Sequence, residues 1–95
     1  MSGGIYNTVV GDEAGTAITT GTRNTAVGYG SLDATTTGVQ NTSIGGSVLT
    51  TNTTGANNVG LGFAALAGNT TASDNTAVGH SALRANTTGA DNVAV

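Results

Sequence analysis

The ionisable side chains of this 95-residue chain are few and scattered. They are Asp12, Glu13, Arg23, Asp33, Asp74, His80, Arg84 and Asp91, with Tyr6 and Tyr29. Catalysis needs such groups to converge at one site, and a single histidine without any cysteine supports neither a histidine dyad nor a thiolate metal site. The sequence therefore predicts no catalytic residues, no metal ligands and no cofactor, and the protein is not expected to be an enzyme.

Two local patterns are similar to ligand-binding motifs. Asp12 and Glu13 form the only adjacent acidic pair, but a calcium-binding β-roll repeats its aspartate in every coil. Gly60-Leu61-Gly62 is a short G-x-G that lacks the third glycine, the following helix and the acidic ribose partner of a dinucleotide site. We interpret the acidic pair as a solvated turn and the glycines as part of a repeat.

Composition excludes several classes of protein. Gly, Thr, Ala and Asn fill 59 of the 95 positions, Val, Leu, Ile and Phe only 18, and the formal net charge is -3. Two arginines and no lysine cannot neutralise a phosphate backbone, so nucleic acid is not an expected partner. No apolar run approaches the roughly 18 residues of a membrane span, and the first residues carry no secretion signal.

An uninterrupted 17-residue repeat organises the whole chain. An Asn column marks its start, at Asn7, Asn24, Asn41, Asn58, Asn75 and Asn92. Four residues after all but the last of these lies a glycine: Gly11, Gly28, Gly45, Gly62 and Gly79. One repeat reads N-T-A-V-G-x-x-A-L-x-x-N-T-T-G-x-x. Helical repeats need about 33 residues, whereas 17 suits one coil of a β-solenoid.

The predicted fold class is all-β: residues 1–95 form one parallel β-solenoid domain of 17-residue coils. We expect a strand around Asn24–Val27, a second strand containing Ala82-Leu83, and positive φ at the repeated glycines, which serve as structural turns. Stacking turns each repeat position into a ladder along the axis. Two ladders are predicted to form the core: Val10, Val27, Ile44, Leu61 and Val78, and Leu32, Leu49, Leu66 and Leu83.

Three polar columns have more than one interpretation. The Asn column is expected mainly to adopt left-handed corner geometry, with a stacked amide ladder as the alternative. Adjacent threonines in each repeat should point to opposite sides, which displays only one threonine column. Asn41, Asn52, Asn69 and Asn86 match N-glycosylation signals, which we attribute to turn composition.

The most variable column holds Asp12, Tyr29, Gly46, Phe63 and His80. Such variation is typical of a solvent-facing corner. We therefore interpret His80 as a surface residue, and we expect Asp12, Tyr29, Phe63 and His80 to be available for surface or receptor contact.

The run from Ala72 to Ala82, A-S-D-N-T-A-V-G-H-S-A, and Gly89 to Val95, G-A-D-N-V-A-V, resemble the head repeat of YadA-type trimeric autotransporter adhesins. The N-T-A-V-G-Y-G-S-L stretch from Asn24 to Leu32 is also similar to repeats of phage tail fibres. The resemblance implies a left-handed β-roll and a homotrimer. This chain departs from it in having longer coils, and in having Thr at Thr8, Thr25, Thr42 and Thr76 where the adhesins have Val.

We expect a structural module of a trimeric phage tail fibre or surface adhesin that supports host attachment, located on the virion or at the cell surface. Its expected partners are copies of itself and a host surface glycan, and it should neither bind nucleic acid nor insert into membranes. A self-assembling solenoid filament is one alternative, because neither end shows a capping sequence. An ice-binding solenoid that displays threonine is the other.

Overall fold

A computed structural model describes residues 5–95 and confirms the β-solenoid. Its strands are β1 (Thr8–Val10), β2 (Thr25–Val27), β3 (Thr42–Ile44), β4 (Val59–Leu61), β5 (Thr76–Val78) and β6 (Val93–Ala94). They pair in parallel in sequence order, each residue with the residue 17 positions later, and the described chain contains no helix. The stack measures 32 × 22 × 16 Å.

Strands β1 to β5 are each followed by a glycine, because the corner requires a conformation that other residues avoid. The repeated glycines that follow the strands have φ between 118° and 128°. At Gly28 a Cβ atom would also lie 2.6 Å from the carbonyl oxygen of Gly45 in the next coil. Coil spacing and backbone geometry therefore both require glycine at this corner.

The Val/Ile/Leu column lies outside the core, so the prediction that it forms a core ladder is wrong. Val10, Ile44 and Leu61 are 58%, 39% and 43% exposed, while Val27 and Val78 are half-buried. Side chains alternate along a strand, and here the middle residue of each strand points inward. The inward residues of β2 to β5 are small, namely Ala26, Ser43, Gly60 and Ala77.

The Ala-Leu segment is a turn, so the predicted second strand is absent from the described coils. Leu32, Leu49 and Leu66 have φ of 54°, 51° and 53° and are completely buried. The left-handed backbone curls the chain and directs these leucines inward, where they are among the largest fully buried side chains. Leu83 has the same geometry, with φ of 49°, and packs partly buried against this core.

Neighbouring coils complement one another in volume. Val48 Cγ1 lies 2.5 Å from the position that a Cβ atom would take at Gly60, so the valine fills the room left by the glycine. Where Gly15 replaces the core leucine, Val9 and Ile18 each approach its Cβ position to 3.1 Å. The core is therefore close-packed although the columns are not uniform.

The Asn column forms a buried amide ladder. Asn24, Asn41, Asn58 and Asn75 are buried. Asn58 Nδ2 donates to Asn41 Oδ1 at 3.1 Å and to the Ala72 carbonyl at 2.9 Å, and Asn58 Oδ1 accepts from the Asn75 amide at 3.0 Å. The ladder offered as the alternative is present, although at the step from Asn58 to Asn75 the donor is a backbone amide and not a side chain.

The expected corner geometry belongs to the residue before each asparagine. Positive φ is found at Arg23, Gln40, Asn57, Asp74 and Asp91, with values between 57° and 64°. The asparagines that follow have no left-handed backbone in the described chain, and their side chains point inward instead. A second amide ladder runs beside the first, with Asn69 Nδ2 donating to Asn52 Oδ1 at 2.9 Å.

Candidate functional site

Within residues 5–95 no group of three histidine or acidic side chains is arranged to hold a metal ion. His80 is exposed, and its Nδ1 lies 3.1 Å from the Ser81 hydroxyl. Its ring stacks on Phe63, with centroids 5.4 Å apart and planes inclined by 22°. The imidazole therefore contacts an aromatic ring and a hydroxyl, which is a surface contact and not a catalytic dyad.

The structure brings the variable residues together as one ridge, which we call the variable corner: Asp12, Tyr29, Gly46, Phe63 and His80. Its backbone is rigidly held between coils. The carbonyl of Tyr29 accepts from the Ser47 amide at 2.8 Å, and the carbonyl of Phe63 accepts from the Ser81 amide at 2.8 Å. Side chains of changing chemistry are thus displayed on a backbone of constant geometry, an arrangement suited to recognition.

The aromatic rings of the corner are directed at solvent. Tyr29 is 58% and Phe63 54% exposed. Phe63 leans over Gly46, with its Cδ2 3.3 Å from the position of a Cβ atom there. His80 covers the side of Phe63 that faces the next coil, whereas Gly46 offers no side chain to cover the other side. The Phe63 ring itself therefore covers the backbone at Gly46.

Carboxylates surround the Tyr29 end of the corner. The Glu13 carboxylate, and to a lesser degree Asp12 and Asp33, raise the pKa of the Tyr29 hydroxyl above its ordinary value. Burial raises the pKa of Asp33, and the nearby Glu13 charge adds to the shift. This end of the corner is therefore a region of negative potential. Sequence reasoning identified Asp12 and Tyr29 but missed Glu13 and Asp33, because only coil stacking brings them beside the phenol.

The outer face of the sheet is a second surface with a distinct character. It consists of the first and third residues of each strand, and we call it the outer strand face. Val10, Ile44 and Leu61 are exposed along it, and Val59 contributes a further apolar side chain. The face runs the full length of the six-stranded sheet, about 24 Å for six strands at ~4.8 Å spacing. An exposed apolar stripe of this kind is a candidate interaction surface.

The two threonines of each pair differ in hydrogen bonding and in exposure. The first threonine of a pair donates its hydroxyl to the carbonyl of the equivalent threonine in the next coil, as Thr53 does to Thr70 at 3.3 Å. The second is exposed in every pair: Thr20, Thr37, Thr54, Thr71 and Thr88. The second threonine column is exposed throughout, but the pairs lie in bends and not in strands, so strand alternation is not the cause.

All four N-glycosylation matches lie in the amide ladders. Asn41, Asn52 and Asn69 are buried, and their side-chain amides are hydrogen-bonded to neighbouring coils. Asn86 is half-buried and donates to the Gly89 carbonyl at 2.8 Å. The folded coils therefore use these amides as structural hydrogen-bonding groups.

Comparisons with models of known protein families, with curated proteins and with solved structures found no match. Among residues 5–95 the structure contains no helix with the length and apolar character needed to cross a membrane.

Proposed function

We propose that this protein is a structural module of a homotrimeric fibre, such as a phage tail fibre or a surface adhesin, that supports host attachment on a virion or at a cell surface. The observation that carries the proposal is the outer strand face, where Ile44 and Leu61 expose apolar side chains at mid-stack. Association that buries this stripe would gain about 25 cal/mol of free energy per Å² of apolar area removed from water.

A second copy of this chain is the occupant that best fits this face. The stripe is as long as the sheet and repeats at coil spacing, so an identical chain presents a stripe of the same length and period. No charged side chain stands among the strand residues that form it. The resemblance to trimeric adhesin heads favours three chains around one axis, with left-handed coils as in those heads.

Mechanically, such a module acts as a rigid spacer. Backbone and amide ladders link every pair of neighbouring coils along the axis. The variable corner stays at the surface, where it is available to a host receptor. We propose a surface glycan as the class of receptor. Each contact is weak, and three copies per fibre together give a stronger attachment.

Sedimentation equilibrium of the intact chain tests the proposal. We expect a closed species of three times the 9.1 kDa chain mass. Ile44→Arg places a charge in the stripe and should dissociate the trimer, while its circular dichroism keeps the folded signature. Thr54→Arg, at an exposed site off this face, is the matched control and should remain trimeric.

A wild-type chain that stays monomeric at all concentrations would contradict the proposal. Open-ended growth with concentration would instead support the filament alternative, in which exposed strand edges pair end to end.

A further inference from the structure

Two ridges flank the outer strand face, and together they carry every aspartate, glutamate and arginine of the chain. The entry ridge is the column of residues that precede the ladder asparagines: Arg23, Gln40, Asn57, Asp74 and Asp91. The exit ridge follows the strands and holds the remaining charges: Asp12, Glu13, Asp33 and Arg84. All of these charged side chains are exposed except that of Asp33, which is half-buried.

Contacts between and within coils hold the charged side chains on their ridges. The Arg23 guanidinium lies 5.2 Å from the centroid of the Tyr6 ring, which occupies the same repeat position one coil earlier. On the exit ridge, Asp33 Oδ2 lies 3.8 Å from the position that a Cβ atom would take at Gly30 in the corner. Arg84 occupies the repeat position of Asp33, three coils later.

The two ridges are charged in opposite order along the solenoid axis. At the end of the stack that holds the first coils, the entry ridge is positive at Arg23 and the exit ridge carries three acidic residues. At the other end, the exit ridge is positive at Arg84 and the entry ridge carries two aspartates. Residues 34–73, which lie between the two ends, contain no charged side chain.

Opposite charges on the two ridges also lie at similar heights along the axis. Asp33 follows Arg23 by ten residues, and Asp91 follows Arg84 by seven. A full coil of 17 residues rises about 4.8 Å, so these separations correspond to roughly 2–3 Å in height. An offset of that size is within the reach of an arginine side chain.

A ring of three chains with the outer strand faces at its axis brings opposite ridges together. All chains of a cyclic assembly point the same way and lie at the same height, and each interface joins one side of a chain to the other side of the next. The entry ridge of each chain therefore lies beside the exit ridge of its neighbour, with opposite charges adjacent at both ends.

We infer that the entry ridge of each chain in the trimer forms ion pairs with the exit ridge of the next chain, at both ends of the stack. Arg23 of one chain meets Glu13 and Asp33 of the next, and the two entry-ridge aspartates meet Arg84. This inference rests on the proposed function and deepens it, because it names the surfaces by which the copies recognise one another. Charges at the rim of an interface contribute orientation and register more than affinity.

The same charges also fit an antiparallel pair of chains, in which Arg23 meets Asp91 of the other chain. Three chains in a closed ring cannot alternate in direction, so the two arrangements differ both in the number of chains and in the residues that pair. Charge reversal distinguishes them.

Sedimentation equilibrium of intact chains at about 0.1 M ionic strength, where the screening length is ~10 Å, tests the pairing. An exposed ion pair is worth up to about fivefold in affinity and occurs three times in the ring, so Arg23→Glu and Glu13→Arg should each raise the trimer dissociation constant about 100-fold. Combined in one chain, they should recover at least tenfold of the loss. Circular dichroism checks that each variant keeps the folded signature.

The control combines Arg23→Glu with Asp91→Arg. These sites lie four coils apart, about 19 Å along the axis, and a parallel ring keeps them apart across every interface. Their effects on the trimer dissociation constant should therefore multiply without any recovery.

Disulfide formation tests the pairing without changing a charge, because the chain contains no cysteine. Gln40 and Ser47 occupy the repeat positions of Arg23 and Glu13 in the uncharged middle of the stack. Gln40→Cys combined with Ser47→Cys should give a covalent trimer on oxidation, whereas Gln40→Cys alone can join only two chains. Replacing Ser47→Cys by Ser81→Cys moves the second thiol two coils away, about 9.6 Å, and should lower the yield of covalent trimer about tenfold.

If Arg23→Glu and Glu13→Arg do not compensate each other, or if oxidation gives no covalent trimer, the ridge pairing is wrong. A wild-type chain that still sediments as a trimer then keeps the proposed function intact. A dimer in which Asp91→Arg compensates Arg23→Glu would overturn both the ring and the trimeric fibre. A wild-type chain that stays monomeric would overturn the proposed function, and the pairing with it.

Discussion

Replacing Asn58 with alanine removes three side-chain hydrogen bonds from the middle of the amide ladder. Two are donated by Nδ2, to Asn41 Oδ1 and to the Ala72 carbonyl, and one is accepted by Oδ1 from the Asn75 amide. Asn41 Oδ1 and the Ala72 carbonyl keep other donors, the Asn58 amide and Asn69 Nδ2. Only the buried Asn75 amide loses its partner.

The expected loss in free energy of unfolding follows from these three hydrogen bonds. Two hydrogen bonds lost without an orphaned partner cost about 1 kcal/mol each, and the unpaired amide costs about 1–3 kcal/mol. The free energy of unfolding should therefore fall by about 3–5 kcal/mol, a large part of the roughly 5–15 kcal/mol of a typical domain.

Asn92 is the matched control in the same column. Its side chain is half-buried and donates one hydrogen bond to Asn75 Oδ1 at 3.0 Å. Asn92→Ala should cost about 1 kcal/mol. Urea unfolding followed by circular dichroism measures both variants, at equal protein concentration because association adds to apparent stability. If Asn58→Ala and Asn92→Ala lower the free energy of unfolding by amounts that agree within about 0.5 kcal/mol, the ladder argument is refuted, because additivity errors are of that size.

Three further outcomes are expected. Gly60→Ala places a Cβ atom against Val48 and should destabilise the fold by about 1–3 kcal/mol, and the double variant with Val48→Ala should recover much of this loss in a double-mutant cycle. Leu49→Ala should cost about 2–5 kcal/mol in urea unfolding, because the leucine is completely buried. Glu13→Gln should lower the pKa of Tyr29 in an ultraviolet titration. Since the folded-state pKa is raised, the stabilising contribution of the neutral phenol is present at lower pH and lost as the pH rises through that pKa.

The period predicted the architecture because stacking makes position within a repeat equivalent to position in space. A single interval of 17 residues was enough to place the strand, the glycine corner and the leucine core. The side of the strand that faces inward was not predictable in the same way. Valine, isoleucine and leucine suggest a core, but the inward positions of β2 to β5 are held by residues as small as Ala26 and Ser43.

The candidate site was predictable only in part. Variation in one column identified Asp12, Tyr29, Phe63 and His80 as surface residues, because ladders that pack inside a stack tolerate little change. The placement of Glu13 beside Tyr29 depends on which turn residues adopt left-handed φ, and Glu13 does so at 59°. A non-glycine residue in that conformation has little local signature in the sequence.

By itself the sequence determined the repeat and the parallel register, because these depend on spacing and residue type alone. Tertiary structure decided which ladders are buried. It turned the Asn column from a supposed corner into an interior amide ladder, and it moved the Val/Ile/Leu column to the surface. The physical reason is that a coil of 17 residues encloses a narrow interior. Leucines on left-handed turns and paired amides fill it, and the large apolar residues of the strands are left at the surface.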